Sequence, residues 1–266
     1  MPPDLAEEAA AAVRQRLPET PAAAIVLGSG LSDFAQTLDN PIVVPYAEIP
    51  HYPQPTVPGH VGELVFGYVK SLPVITARGR FHYYEGHSLE TVALPVRLFA
   101  RLGVSTLIIT NAAGCVNTQW HEGDLMFLTG HLDYTFLDGA NTPTRHTDDR
   151  FHSGDLLALA RRAARDAAIP MREGSYAWCL GPTFETPAEI KDIRRLGGAA
   201  VGMSTVPEIR AAADEGLAVL GISCLTNYAA GIRDQPLTHE EVLATGQRVK
   251  ETFAQLVTAI LRNLAP

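Results

Sequence analysis

Four short segments concentrate residues whose types and spacing suit chemistry on an anion. In Gly28-Ser29-Gly30, after the apolar run 23–27, the glycines let backbone N–H groups approach an anion and the serine hydroxyl can donate. Only two glycines of a dinucleotide fingerprint are present, with Asp33 in the third slot, and no Gly-Lys-Ser/Thr follows. By itself the segment reads as a tight turn as readily as a site. In Gly79-Arg80-Phe81-His82, Arg80 offers a planar fork suited to phosphate, and His82 falls on the same side of an extended backbone. The aromatic neighbours Phe81, Tyr83 and Tyr84 argue against a solvated basic turn. Ser204 stands one position ahead of Thr205, the better helix cap, where a helix amino terminus points. Asn111-Ala112-Ala113-Gly114 puts small residues at the carboxyl end of the run 106–110, the edge where ligands collect in open α/β sheets.

Holding these segments together requires a layered fold. Apolar, β-rich runs occur at 23–27, 64–69, 74–76, 106–110, 125–128, 199–203 and 219–225, several hydrophobic almost throughout, as in strands covered on both faces. Helical segments lie between them at 89–102, 155–168, 188–196, 208–215 and 240–264, and a helix is expected soon after Gly30. The alternation predicts an α/β fold with a central mixed β-sheet flanked by helices on both faces. No linker, charge run or repeat divides the chain, so residues 1–266 read as a single domain, with the proline-rich stretch 49–60 as an ordered loop. Thr186/Glu189, Thr205/Glu208 and Thr238/Glu241 have capping-box spacing and read as helix starts. Gly197 and Gly216 close the first two of those helices.

Composition narrows the function classes. The 266 residues carry 29 acidic against 21 basic side chains, a formal net charge of −8. Such a chain lacks the broad basic face that nucleic acid or an anionic membrane surface requires, while a local pocket for one small anion remains open. No stretch approaches the ~20 apolar residues of a membrane span. Met1-Pro2-Pro3-Asp4 has neither the basic nor the apolar region of an export signal. Cys115, Cys179 and Cys224 are odd in number and sit among apolar neighbours, which fits reduced core residues and a cytoplasmic setting, with no metal spacing.

With these segments in view, the chain resembles the trimeric purine nucleoside phosphorylases, the low-molecular-mass branch of nucleoside phosphorylase family 2. The matching stretches, in family order, are Gly28-Ser-Gly-Leu31, Val57-Pro-Gly-His60, Gly79-Arg-Phe-His82, Tyr84-Glu-Gly-His87, Thr110-Asn-Ala-Ala-Gly114, Gly181-Pro-Thr-Phe-Glu-Thr186, Val201-Gly-Met-Ser-Thr-Val-Pro-Glu208, Thr226-Asn227 and Thr238-His-Glu-Glu-Val-Leu243. The resemblance implies reversible phosphorolysis, in which a purine ribonucleoside and phosphate give purine base and ribose 1-phosphate. It implies a phosphate site made of Ser29, Arg80, His82, Asn111, Ala112 through its backbone, and Ser204. Tyr84 and Met203 are implied at the ribose, His239 at the 5′-hydroxyl, Phe184, Glu185 and Asn227 at the base, and His60 as a phosphate-side gate. A homotrimer is implied in which Phe151, in Asp149-Arg150-Phe151, reaches the neighbouring subunit's ribose pocket. His152 follows where the family usually has proline, Thr238 stands where it often has asparagine, and Gly130-His131-Leu132-Asp133 departs from its usual Asp-His-Ile-Asn.

These residue types suit the implied chemistry. Breaking a glycosidic C–N bond builds positive charge on the ribose and negative charge on the purine, through an oxocarbenium-like transition state. A phosphate anion beneath the sugar is both nucleophile and electrostatic partner, so the reaction calls for no metal or organic cofactor, and inorganic phosphate is a co-substrate. The Asn227 amide can donate to O6 of a 6-oxopurine and accept from a protonated N7, while Glu185 accepts from N1–H. A 6-aminopurine would mispair both, at ~1–3 kcal/mol per buried group, which predicts preference for inosine and guanosine over adenosine. The rival readings are a methylthioadenosine phosphorylase, in which aspartate is expected at position 227, a relaxed relative that accepts xanthosine, and a non-catalytic nucleoside-binding protein.

Overall fold

Apolar runs become strands here because both of their faces are covered. The computed structural model describes residues 4–57, 59–234 and 238–264, and the side chain of His239 lies outside that description. In chain order the elements are α1 (Leu5–Arg14), β1 (Ala23–Leu27), β2 (Asp39–Pro45), β3 (Glu63–Val69), β4 (Leu72–Arg78), α2 (Leu89–Arg101), β5 (Thr106–Cys115) and β6 (Leu125–Asp133). Then come β7 (Arg145–His146), α3 (Gly154–Asp166), β8 (Met171–Trp178), α4 (Pro187–Arg195), β9 (Gly198–Gly202), α5 (Val206–Asp214), β10 (Ala218–Tyr228) and α6 (His239–Leu264).

One wing of the sheet runs β2-β3-β4-β1-β5, with β1 parallel to both β4 and β5 and β3 antiparallel to its neighbours. Every β1 residue is buried, and alternate side chains enter different cores: Ala24 and Val26 on one face, Ala23, Ile25 and Leu27 on the other. The first core takes apolar residues of α1, α2 and α5, such as Ala9, Phe99 and Ile209. The second takes those of α3 and α6, such as Ala160 and Leu256. This is the mixed sheet with helices on both faces that the sequence predicts.

Beyond β5 the sheet closes on itself. The amino-terminal half of β5 pairs with β1, its whole length with β10, and its last residues, Gly114 and Cys115, with β9. With β10 antiparallel to β6, and β8 parallel to both β6 and β9, the ring β5-β10-β6-β8-β9 is complete. Leu132 and Ala177 of the ring pack with Ile190 and Ile193 of α4 in a third, smaller core. The strand β5 is thus where the open wing meets the ring.

Several elements differ from expectation. β5 runs on through Asn111-Ala112-Ala113-Gly114, which therefore lies inside a long strand and not past its end. The segment after Gly30 is a single 3₁₀ stretch, Ser32–Thr37, in place of a longer helix. The elements α1, β2, β7 and β8 have no counterpart in the sequence reading. The edge strand β2 contains Pro41 and Pro45 and buries little besides Val44, and the apolar start of β8 at Met171 is broken by Arg172 and Glu173, so neither shows a continuous apolar run.

Candidate functional site

The carboxyl ends of β1, β4, β5, β9 and β10 converge on one cleft. Ser29, Arg80, His82, Asn111, Ala112 and Ser204 all line it, together with Tyr84, Phe184, Glu185, Met203 and Asn227. The space amounts to about 740 Å³ with its open mouth included.

The Gly28-Ser29 turn is welded to β5. Gly28 N–H donates to Thr110 Oγ1 at 3.0 Å, and that hydroxyl donates to the Val26 carbonyl at 2.9 Å. A Cβ on Gly28 would fall 2.7 Å from Asn111 Cα, so glycine here is demanded by close approach of two backbones. Beside it, Arg80 is 2% exposed. Its Nη1 donates to the Thr110 carbonyl at 2.7 Å, and its Nε and Nη2 donate to the two carboxylate oxygens of Glu208 at 3.3 and 2.8 Å. Glu208 is itself 1% exposed. Three of the five N–H groups of the guanidinium are engaged, which leaves two for an anion.

Ser204 reaches the cleft from a distorted turn. Thr205, the residue after it, has φ +77°, a region that β-branched residues avoid and that costs of order ~1–3 kcal/mol. Polar contacts hold it there: Asn111 Nδ2 donates to Thr205 Oγ1 at 2.9 Å, Thr205 N–H donates to Glu208 Oε2 at 3.1 Å, and Ser204 N–H donates to Tyr176 Oη at 3.3 Å. The Ser204 and Thr205 hydroxyls lie 3.1 Å apart. Gly202, just upstream, could carry no side chain, since its Cβ would lie 2.5 Å from that same Tyr176 oxygen.

His82 is fixed on two sides. Its Nδ1 lies 2.8 Å from Glu85 Oε1, and its ring stacks on Tyr84 with centroids 4.8 Å apart. Thr56 donates to the other oxygen of Glu85 through both its N–H and its hydroxyl. Burial works to raise the Glu85 carboxyl, but the hydrogen bonds from His82 and Thr56 outweigh it and hold the group down at about 2. It is a permanent anion that orients the imidazole.

The opposite end of the cleft is more open. Asn227 is buried near the end of β10, beyond a bulge in its pairing with β5. Its Oδ1 accepts from Thr226 Oγ1 at 3.0 Å and its Nδ2 donates to the Tyr228 carbonyl at 3.0 Å. Phe184 is 44% exposed. Glu185 Oε1 is buried and has no hydrogen-bond partner among the described residues. Burial pushes this carboxyl above the usual glutamate range, against the lowering effect of its own backbone N–H and the Cys179 thiol. A desolvated carboxylate on the cleft lining is an acceptor for a donor that a ligand brings.

Two residues expected at the site stand apart from this lining. His60 lies behind it, with Nε2 3.5 Å from Ser29 Oγ and its ring 5.4 Å from that of His82. Phe151 does not reach the cleft of its own chain; it packs edge-on against His131 and His146, at 5.2 and 5.3 Å between centroids. His239 opens α6, and its side chain falls outside the described residues. The Thr238 hydroxyl accepts from Glu241 N–H at 3.3 Å, one contact of the expected capping box.

Sequence reasoning passed over Glu208, Glu85 and Thr205, which hold the lining residues, and Thr226 and Val242, which join the lining. The spacing Thr205-x-x-Glu208 was visible as a helix start, yet nothing local signals that the same carboxylate grips Arg80. The three cysteines are buried and free, as the sequence predicts. No helix among the described residues is long and apolar enough to cross a membrane.

Residues 22–262 match the model of the phosphorylase superfamily. A curated relative from Bacillus subtilis, purine nucleoside phosphorylase 1, is 46% identical, the alignment covering 97% of this chain and 98% of that one. The purine nucleoside phosphorylase of Rattus norvegicus is 37% identical over 96% of this chain and 93% of its own. A crystal structure of Schistosoma mansoni purine nucleoside phosphorylase in complex with inosine superposes with a TM-score of 0.87 at 33% identity, covering 97% of this chain and 95% of that one.

Proposed function

We propose that this chain, which belongs to the phosphorylase superfamily, catalyses the reversible phosphorolysis of purine ribonucleosides to free purine and ribose 1-phosphate, with inosine and guanosine preferred. One observation carries the reading: a buried, clamped arginine fork and a desolvated carboxylate line the same cleft, one suited to an oxyanion and the other to a lactam N–H.

Phosphate is held by Ser29, Arg80, His82, Asn111, the Ala112 backbone and Ser204, and Tyr84 and Met203 contact the ribose. Held below the sugar, the phosphate oxygen attacks C1′ as the C–N bond lengthens, and its charge balances the oxocarbenium character of the ribose. Positioning of this kind is worth up to ~7–11 kcal/mol in favourable cases. The electron pair of the broken bond passes to the purine. Glu185 accepts from N1–H while Asn227 bridges O6 and N7, which takes up a proton from solvent as the charge builds, so the base leaves as a neutral lactam. Phe184 covers the base, His239 meets the 5′-hydroxyl, and His60, behind Ser29, gates the phosphate side. The working form is a homotrimer in the cytoplasm, in which Phe151 completes a neighbour's ribose pocket.

The test is a spectrophotometric comparison of inosine, guanosine, adenosine and methylthioadenosine, with and without phosphate. Base release from inosine that vanishes when phosphate is withheld is the expected result. Binding without turnover would make the protein a nucleoside binder, and faster cleavage of methylthioadenosine or adenosine would overturn the proposed base recognition.

A further inference from the structure

We propose that Glu208 is the positioning residue of the phosphate site, locking Arg80 and the Ser204-Thr205 turn into one geometry through a single buried carboxylate. The inference rests on the phosphorolysis reading above and adds to it a residue that touches neither phosphate nor nucleoside.

Three contacts meet on this group. Oε1 accepts from Arg80 Nε at 3.3 Å, and Oε2 accepts from Arg80 Nη2 at 2.8 Å and from Thr205 N–H at 3.1 Å. Arg80 follows β4 and Thr205 lies between β9 and α5, so the carboxylate joins segments more than a hundred residues apart in sequence. Both charged partners are almost wholly buried. Coulombic attraction there is weakly screened, and the bidentate fork fixes the guanidinium plane as well as its position.

Two consequences follow for the anion. First, the Nε edge of Arg80 is spent on Glu208, so the N–H groups left over can point only one way, toward the cleft that Ser29 and Ser204 also line. Second, the pair is formally neutral. An incoming phosphate therefore meets fixed donors more than net positive charge, and its affinity depends on how accurately those donors are aimed. The Thr205 backbone strain belongs to the same device. The N–H to Glu208 contact and the Asn111 amide hold the turn at positive φ, which sets Ser204 on the phosphate side.

The experiment compares Glu208→Gln and Glu208→Asp with the parent enzyme. Steady-state kinetics would vary phosphate at saturating inosine, and inosine at saturating phosphate, with inosine binding measured separately in phosphate-free buffer. Gln keeps the shape but turns an NH₂ toward the guanidinium, and the expected result is a phosphate KM raised tenfold or more with inosine affinity within twofold. Asp keeps the charge on a shorter arm and is expected to recover part of that loss. Equal increases in the phosphate and inosine constants would mark a merely structural role and overturn the proposal, as would a phosphate KM within twofold of the parent in both variants. Should the Gln variant fail to fold, the same split measured on the Asp variant decides. A parent protein inactive on inosine with phosphate would instead bring down the phosphorolysis reading itself.

Discussion

Arg80 and Asn227 border the same cleft, but they are held in different ways. Arg80 is clamped by Glu208 and by the Thr110 carbonyl, among side chains that are all buried, next to a threonine forced to positive φ. Asn227 is also buried, yet its surroundings are lighter: the bonds it makes run to adjacent residues in its own strand, and it shares the lining with an exposed phenylalanine and with Glu185, whose Oε1 has no hydrogen-bond partner among the described residues. In the proposed reading, the oxyanion end is preorganised by long-range contacts, whereas the base end awaits its ligand. A small tetrahedral anion offers little apolar surface, so its site must pay in advance through fixed donors. A flat purine brings area and edge hydrogen bonds of its own.

That contrast can be broken at its strong end first. Arg80→Met should leave Glu208 buried without a counter-charge, lowering stability by about 3–5 kcal/mol in denaturant melts and turnover by ~10²–10³-fold. An unchanged unfolding midpoint would show that the clamp is not structural. At the weak end, Asn227→Asp loses the Nδ2 bond to the Tyr228 carbonyl and should lower stability by about 1–3 kcal/mol, less than the loss at Arg80. It should still move the adenosine-to-inosine ratio of kcat/KM toward adenosine by an order of magnitude, ~1.4 kcal/mol of discrimination. A ratio that stays put would remove the amide from base selection.

Acid titration separates the two ends again. Glu85 sits at about 2 and stays ionised at any working pH, so its grip on His82 does not titrate away. Glu185 is raised by burial, and its ionised form is the stronger acceptor for the N1–H of the proposed substrate. As pH falls, kcat/KM for inosine should therefore decline at a pH above the ordinary glutamate range of ~4.3. Glu185→Gln should abolish that limb. A pH profile of the variant that keeps the same limb would place the titration elsewhere. The smallest effect is expected at Phe184→Ala, where an exposed ring is removed: stability within ~0.5 kcal/mol and a few-fold rise in nucleoside KM, read by the same assay.

Much of this was legible in one dimension. Each lining segment is local, a glycine turn or a strand end whose residue types announce a donor or an acceptor, and the apolar runs that carry them are continuous because β1, β4, β5 and β10 are covered on both faces. What escaped was of two kinds. Strands such as β2 and the first half of β8 lie partly exposed, so their sequence has no continuous apolar signal. The closure of the ring through β5 and β10 depends on which strand ends meet, and periodicity carries no information about partners.

The amino-acid sequence by itself determined the chemical types at the site: the arginine fork, the hydroxyls, the amide and carboxylate at the base end, and the strands and helix starts that carry them. Such features depend on neighbours within a few residues, where backbone geometry translates spacing directly into direction. Only the tertiary structure decided that Glu208 holds Arg80, that Asn111 holds Thr205, and that Phe151 turns away from its own chain's cleft. Those pairings join segments far apart in the chain, and they arise when β5 leaves β1 for β9 and brings both turns into one buried volume, where an ion pair or amide must find a partner or destabilise the fold.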